Sequence, residues 1–231
     1  MKVIGLIGGM SWQSSALYYQ LINEETHLRL GGHHNAKTVM LTVDFAEVER
    51  LQHAADWDTL GVLLAEAAKS LGRAGAGLLV LCTNTMHKLA GHITAAVDIP
   101  LLHIVDATAD ALQQDGHCKV GLLATKFTME EPFYRDRLRN NFGIEAITPD
   151  VETRDRIHRV IYEELCHGIF RAESRANFGI AIQQLQQSGA TAVILGCTEI
   201  ELLISQADSP LPVYASSRLH AIAAVEMALS N

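Results

Sequence analysis

The two halves of the chain match each other at a nearly constant spacing, and this internal repeat restricts the fold more than any other feature. The segments "VIGLIG" and "KVGLLA" align so that Gly5 faces Gly121, an offset of 116 (121 − 5 = 116). Further on, "SLGRAGAGLLVL" aligns with "QLQQSGATAVIL", and Leu71 faces Leu185 at an offset of 114 (185 − 71 = 114). An offset that stays nearly constant over most of the chain predicts two similar halves related by pseudo-two-fold symmetry.

Apolar runs that are typical of buried parallel strands alternate with helical patterns throughout the chain. The runs are Val3–Ile7, Thr38–Val43, Leu78–Leu81, Val120–Leu123 and Ala192–Leu195. This alternation predicts an α/β fold of two Rossmann-like domains with parallel sheets, and an active site in the cleft between the domains. We assign residues 1–103 with 209–231 to the N-terminal domain and residues 104–208 to the C-terminal domain.

Composition narrows the class of protein. Of 231 residues, 48% are hydrophobic and 19% are charged, so we expect a packed core. The net charge of −8 argues against a nucleic-acid partner, because phosphate binding needs a basic surface. The N-terminal apolar run reaches glycines after a few residues, and no run has the length of a membrane span. We therefore expect no membrane association and a cytoplasmic location.

Neither a metal nor a cofactor is expected from the motifs. None of the four cysteines forms a C-x-x-C pair, and the eleven histidines show no H-E-x-x-H spacing. The phosphate-binding patterns G-x-G-x-x-G and G-x-x-x-x-G-K-[ST] are absent from the sequence. No lysine is marked by its neighbours as a Schiff-base residue for pyridoxal phosphate.

Chemistry is expected where two of the apolar runs end, at "CTNTM" and "GCTEI". In open α/β sheets, ligands bind beyond the carboxyl ends of the strands. Thr and Asn favour helix N-caps, and free N–H groups there bind a carboxylate and lower the pKa of a nearby thiol. Cys197 is therefore expected to be a thiolate near neutral pH.

The repeat indicates which residue of the first motif corresponds to Cys197. At an offset of 114, Cys197 faces Thr83 (197 − 114 = 83) and Gly196 faces Cys82. Because strand side chains alternate between the two faces of a sheet, Thr83 is expected to point as Cys197 does. Two matching strand ends could hold a carboxylate with one reactive side chain on each face of its α-carbon. That arrangement favours racemisation or epimerisation by acid–base catalysis.

These motifs resemble those of the aspartate/glutamate racemase family. The likeness rests on "VLCTNTMH" and "ILGCTEI" and extends through "GLIGGMSW", "VDFAEVERLQ", "TKFTMEEPFY" and "IYEELCHG". It is strongest to the enterobacterial L-aspartate/glutamate-specific, broad-specificity amino-acid racemases. The resemblance implies a small amino-acid or dicarboxylate substrate, no cofactor or metal, and a homodimer.

The first motif departs from the family pattern, in which a cysteine immediately precedes Asn-Thr. Here Thr83 precedes Asn84 and Thr85, and a variant interpretation keeps Cys82 as the first catalytic cysteine. We interpret the pair as asymmetric: Cys197 removes the α-proton and Thr83 delivers one to the opposite face. The resemblance then implies that L-to-D conversion is favoured.

Further residues are expected to contact the substrate, from their place in the motifs, in the repeat or in the resemblance. They are Met10, Gln52, Asn84, Thr85, Thr128, Thr198 and Glu199. Glu199 could bind the ammonium group or orient Cys197, whereas His87 and His103 are expected to be structural.

Two alternatives remain open. The chain could be a related cysteine-dependent enzyme, such as a hydantoin racemase, a maleate isomerase or an arylmalonate decarboxylase-like protein. It could also be a non-catalytic protein that binds dicarboxylates.

Overall fold

Strands and helices alternate along residues 1–230, the part of the chain that this computed structural model describes. The strands are β1 (Ile4–Gly8), β2 (Thr38–Thr42), β3 (Leu78–Leu81), β4 (Leu101–Leu102), β5 (Lys119–Ala124), β6 (Glu145–Ile147), β7 (Val193–Gly196) and β8 (Val213–Ala215). The α-helices are α1 (Trp12–Leu30), α2 (Phe45–His53), α3 (Trp57–Arg73), α4 (Ala90–Ala96), α5 (Ile104–Gln114), α6 (Lys126–Glu130), α7 (Pro132–Phe142), α8 (Val151–Glu163), α9 (Ala172–Gln187), α10 (Thr198–Leu203) and α11 (Ser216–Leu229). Short 3-10 helices span Thr85–Leu89, Leu165–His167 and Gln206–Asp208.

The strands form two four-stranded sheets of identical design. The first has the order β2-β1-β3-β4 and the second β6-β5-β7-β8, with every neighbouring pair parallel. Gly5 pairs with Leu79 in the first sheet, and Gly121 pairs with Val193 in the second. Both offsets of the sequence repeat, 116 (121 − 5) and 114 (193 − 79), are therefore present in the strand register. The prediction of an α/β fold with two similar parallel sheets is confirmed.

The paired glycines let a helix approach each sheet closely. A Cβ added to Gly5 would lie 3.3 Å from the Cβ of Leu71 on α3 and closer still to Ala76. A Cβ on Gly121 would lie 3.2 Å from the Cβ of Leu185 on α9. Because real Cβ atoms rarely approach so closely, both helices pack where they do only because the strand lacks a side chain. The same pairs of residues aligned in the sequence repeat.

The chain divides into two compact units. One contains residues 1–104 together with the chain from His220 onward, and the other contains residues 105–219. The sequence assignment of 209–219 to the first domain was wrong, because β8 (Val213–Ala215) pairs with β7 and completes the second sheet. Each sheet therefore has its own fourth strand, β4 in the first unit and β8 in the second.

Strand β3 separates two parts of the core of the first unit. Leu79 and Leu81 belong to a buried cluster that α2, α3 and α4 cover. Leu78 and Val80 belong to a second cluster, which includes residues of α1 and α11. Strand alternation continues one residue past β3, because Cys82 also belongs to the second cluster.

Candidate active site

Thr83 follows β3 in the first unit, and its backbone is held on both sides. Its N–H donates to the carbonyl of Leu81 at 2.8 Å. Its carbonyl oxygen lies 2.7 Å from Nδ1 of His87, on the 3-10 helix that follows. The residue is half-buried. These contacts fix the backbone of Thr83 and therefore the direction in which its Cα–Cβ bond points.

Cys82, the alternative catalytic residue, lies in the core of the first unit. Its side chain is fully buried with Leu78 and Val80 in the cluster that α1 and α11 cover. Its Sγ lies 4.0 Å from the carbonyl oxygen of Val80. Burial raises the pKa of the Cys82 thiol far above its ordinary value, because no charge compensates the loss of water. The thiol is therefore held in its unreactive, protonated form.

Asn84 and Thr85 begin the 3-10 helix of the first motif, and both are buried. The expected N-cap is not formed by Asn84, whose side chain makes no capping hydrogen bond. The reason is the backbone: Asn84 has φ −76° and ψ −51°, a helical conformation, whereas an N-cap residue is extended.

Gln52 and Met10 lie near this motif within the first unit. Gln52 is buried in the last turn of α2, and its Nε2 donates to the sulfur of Met86 at 3.2 Å. Met10 follows β1 and belongs to the same buried cluster as Met86. The fold thus connects two predicted substrate residues with the 3-10 helix of the first motif.

Cys197 and Glu199 form the centre of the motif in the second unit. Cys197 follows β7 and is itself the extended N-cap residue of α10, a place expected for Thr198. Its Sγ donates to Oε2 of Glu199 at 3.0 Å, and the Thr198 hydroxyl donates to the same oxygen at 2.7 Å. All three side chains are buried. The thiol of Cys197, the hydroxyl of Thr198 and the carboxylate of Glu199 therefore form one hydrogen-bonded group.

The expectation that Cys197 is a thiolate near neutral pH is wrong for this arrangement. Burial raises the pKa of Cys197 well above its ordinary value, and the negative charge of Glu199 raises it further. The expectation rested on the partial positive charge of the helix N-terminus alone, and α10 has only six residues. At neutral pH Cys197 is a thiol that donates a hydrogen bond to an adjacent acceptor.

Thr128 lies on the short helix α6, which follows β5 in the second unit. It is fully buried, and its hydroxyl lies 3.3 Å from that of Thr125, the N-cap residue of α6. At the repeat offset of 116, Thr128 corresponds to Trp12 (128 − 116 = 12), and both residues follow the first strand of their half. Its role in substrate binding stays a prediction.

Within residues 1–230, no group of three or more His, Cys, Asp and Glu side chains is arranged so that it could hold a metal ion. None of the helices there combines the length and the apolar character needed to cross a bilayer.

Glu201, which the sequence did not indicate, is a half-buried residue two positions beyond Glu199. It accepts hydrogen bonds from the backbone N–H of Ser217, at 3.2 Å, and from the Ser217 hydroxyl. Burial raises the pKa of Glu201 to about 7, because the effect of burial is larger than the opposite effect of the hydrogen bonds from Ser217. No signal in the sequence indicated this contact with α11, because Glu201 and Ser217 lie sixteen residues apart.

Replacing Glu201 by glutamine is expected to stabilise the protein above pH 7. The folded pKa of about 7 exceeds the unfolded value of 4.5, so the folded state binds more protons between these values. Stability of the wild type therefore falls as pH rises from 4.5 to 7. The variant avoids this loss, and its free energy of unfolding should rise by up to roughly 3 kcal/mol at pH 8, with little change at pH 4.5.

Urea unfolding of the Glu201→Gln variant and the wild type at both pH values measures the difference. Glu163→Gln, at an exposed site, is the control, and an equal effect of both variants would contradict the prediction.

A thiol beside a buried carboxylate, at the carboxyl end of a parallel strand, supplies a proton donor and a proton acceptor, as general acid–base catalysis requires. The chain belongs to the Asp/Glu/Hydantoin racemase family, whose sequence pattern matches residues 7–224. The prediction of a racemase, and hence of an isomerase, is confirmed at the level of this family.

Three relatives show the extent of the likeness. A putative Asp/Glu racemase from Yersinia pestis is 50% identical over the whole of both chains, and its crystal structure matches with a TM-score of 0.93. An aspartate racemase homologue from Pyrococcus horikoshii is 32% identical, again over both whole chains, with a TM-score of 0.86. The broad specificity amino-acid racemase RacX of Bacillus subtilis is 24% identical over 70% of this chain and 69% of its own length.

Proposed function

We propose that the protein is a cofactor-independent amino-acid racemase for aspartate- and glutamate-type substrates, in which Cys197 and Thr83 act on opposite faces of the α-carbon. The observation that carries the proposal is the hydrogen bond from Cys197 to Glu199, because it gives the Cys197 thiol a proton acceptor at 3.0 Å. Membership of the family and the name of the Pyrococcus relative support the substrate class. The homodimer and the cytoplasmic location stay predictions.

In the first step Glu199 activates Cys197. The thiol transfers its proton to the Glu199 carboxylate, which becomes a carboxylic acid, and the thiolate then takes the α-proton of the L-enantiomer. The electron pair of the broken C–H bond stays on the α-carbon and delocalises into the substrate carboxylate. Donors to that carboxylate must stabilise the growing charge. We assign this role to Asn84, Thr85 and Thr198.

In the second step Thr83 protonates the opposite face. Its hydroxyl gives a proton to the carbanion and regains one from solvent, while the protonated Glu199 returns its own proton to solvent. A hydroxyl is far too weak an acid to act as a resting base, so Thr83 removes protons from the D-enantiomer slowly. Because enantiomers have equal free energies, kcat/KM must be the same in both directions. The preference for L-substrates therefore appears as faster exchange of their α-proton with solvent.

Replacing Glu199 by glutamine should make Cys197 more acidic and yet slow racemisation. The pKa of the thiol falls because the neighbouring negative charge is lost. Racemisation falls roughly 10²-fold because the thiol no longer has a proton acceptor. Alkylation of the Cys197 peptide against pH, followed by mass spectrometry, measures the acidity, and polarimetry measures the rate.

Glu201→Gln is the matched control for that experiment, since it removes a carboxylate from the same helix without touching the thiol. It should leave both readouts near the wild-type values. A Glu199→Gln variant that racemises faster than the wild type would show that Glu199 only suppresses ionisation of Cys197.

Replacing Cys82 by alanine should preserve catalysis. The thiol is fully buried in the core cluster of the first unit, with its Sγ 4.0 Å from the Val80 carbonyl oxygen. We expect kcat/KM within about 3-fold of the wild type and a loss of about 1 kcal/mol in unfolding free energy, which is usual for a small core truncation. Enzyme assays with thermal unfolding measure both. Loss of activity in a fully folded variant would return Cys82 to the catalytic pair.

A substrate screen tests the proposed function against its alternatives. Purified protein is incubated with each proteinogenic L-amino acid and with a 5-substituted hydantoin, an arylmalonate and maleate, and products are resolved by chiral chromatography. We expect D-aspartate or D-glutamate to form. Turnover of only the last three compounds would indicate the related enzymes, and binding of dicarboxylates without turnover would indicate a non-catalytic protein.

A further inference from the structure

We propose that His87 is a positioning residue that sets the direction of the Thr83 side chain, an inference that rests on the proposed function. His87 is 2% exposed and lies four residues after Thr83 on the 3-10 helix of the first motif. It was expected to be structural, but its hydrogen bonds connect it to the backbone of the residue that is proposed to deliver the proton.

The hydrogen bonds of His87 fix where its ring proton lies. The backbone N–H of Ile104 points at Nε2 at 3.2 Å. A backbone N–H can only donate, so Nε2 must present a lone pair and the ring proton must lie on Nδ1. Nδ1 is 2.7 Å from the carbonyl oxygen of Thr83, which can only accept. His87 is therefore a neutral imidazole that donates to Thr83 and accepts from Ile104.

Neighbouring rings hold this imidazole in place. The centroid of His103 lies 4.6 Å from that of His87, and the centroid of His220 lies 5.6 Å away. His220 is itself fixed, since its Nε2 lies 3.0 Å from the carbonyl of Leu102 and its Nδ1 lies 2.9 Å from the buried hydroxyl of Tyr18. A ring packed in this way cannot turn to a different acceptor without disturbing the cluster.

The consequence for Thr83 is mechanical. Its N–H bonds to Leu81 and its carbonyl to His87, so both of its peptide groups are held. Loss of the His87 donor frees the carbonyl, and the Thr83 peptide can rotate and move the hydroxyl. Displacement of a proton donor by about 1 Å can cost roughly 10²-fold in rate. The effect should fall on proton delivery by Thr83 and leave proton removal by Cys197 intact.

Two substitutions test the hydrogen bonds of the two ring nitrogen atoms of His87 separately. Asparagine places an N–H donor where Nδ1 lies, so His87→Asn keeps the bond to Thr83. Glutamine places its terminal group near Nε2, so His87→Gln keeps a partner for Ile104 and loses the bond to Thr83. In deuterated water, NMR follows loss of the α-proton from L-aspartate, and chiral chromatography follows formation of D-aspartate.

We expect His87→Gln to lower inversion at least roughly 10-fold while exchange from the L-enantiomer stays within about 3-fold of the wild type. His87→Asn should keep both rates within about 3-fold. In a Thr83→Val background, His87→Gln should lower inversion no further, because the two residues act through one step. Equal losses of exchange and inversion in His87→Gln, or equal behaviour of the two variants, would overturn the positioning role.

A second measurement uses the unaltered protein, so it remains decisive if a variant does not fold. Long-range proton–nitrogen NMR of protein labelled with nitrogen-15 histidine should show His87 as the Nδ1–H tautomer at pH 7. An Nε2–H tautomer or an imidazolium would contradict the inference. A wild type that neither exchanges nor inverts any amino acid would instead refute the proposed function. Unchanged inversion in Thr83→Val would refute the assignment of Thr83.

Discussion

Replacing Cys197 by alanine is expected to abolish both α-proton exchange and racemisation, with a loss of at least roughly 10³-fold in kcat/KM for L-aspartate. The thiol is the only group in the proposed mechanism that removes the α-proton of the L-enantiomer, and Glu199 acts through it at 3.0 Å. Proton transfer by a positioned side chain contributes about 10²- to 10⁴-fold, and no other group replaces it here. Polarimetry and NMR exchange measure the two activities.

Two variants accompany this experiment. Cys118→Ala removes an exposed thiol from the same unit and should leave activity within about 2-fold of the wild type. Cys197→Ser keeps the shape of the side chain but replaces the thiol with a far weaker acid, and it should be almost as inactive as the alanine variant. Exchange in Cys197→Ala within 10-fold of the wild type would assign proton removal to another residue.

Replacing Thr83 by cysteine is expected to create a second proton-removing group. A free thiol ionises near pH 8.5, whereas an alcohol does not ionise in the accessible pH range. Exchange of the α-proton of D-aspartate should therefore rise by roughly 10²-fold or more, and the rate of racemisation should rise with it. Exchange from L-aspartate depends on Cys197 and should change little. NMR in deuterated water, with each enantiomer supplied separately, measures both.

Thr83→Val is the matched control, because valine keeps the branched shape and removes only the hydroxyl. It should retain exchange from L-aspartate and lose inversion, since nothing delivers a proton to the opposite face. Unchanged exchange from D-aspartate in a normally folded Thr83→Cys variant would contradict the claim that position 83 lies on the opposite face of the α-carbon from Cys197.

The repeat in the sequence predicted much of the fold, because the same packing of a helix against a strand occurs in both halves of the chain. Gly5 with Leu71 and Gly121 with Leu185 aligned in sequence and also make the same contact between strand and helix in each unit. Strand alternation likewise explains the burial of Cys82, which continues the pattern of Val80 into the core. Periodicity and spacing are properties that a single sequence displays.

The pKa shifts and the long-range hydrogen bonds of the side chains could not be predicted from the sequence in the same way. The sign of the pKa shift of Cys197 depends on its burial and on the direction of the Glu199 side chain, and neither follows from "GCTEI". The contact between Glu201 and Ser217 joins residues sixteen positions apart, across β8. The hydrogen bond from His87 to the backbone of Thr83 required the 3-10 helix, whereas the sequence suggested an ordinary capped α-helix.

The asymmetry of the catalytic pair is the central claim, and α-proton exchange in the unmodified protein tests it most directly. L-aspartate and D-aspartate are incubated separately in deuterated water, and NMR records the initial loss of the α-proton from each. A thiol on one face and a hydroxyl on the other predict that the L-enantiomer exchanges at least roughly 10-fold faster than the D-enantiomer. Equal rates for the two enantiomers would contradict the account.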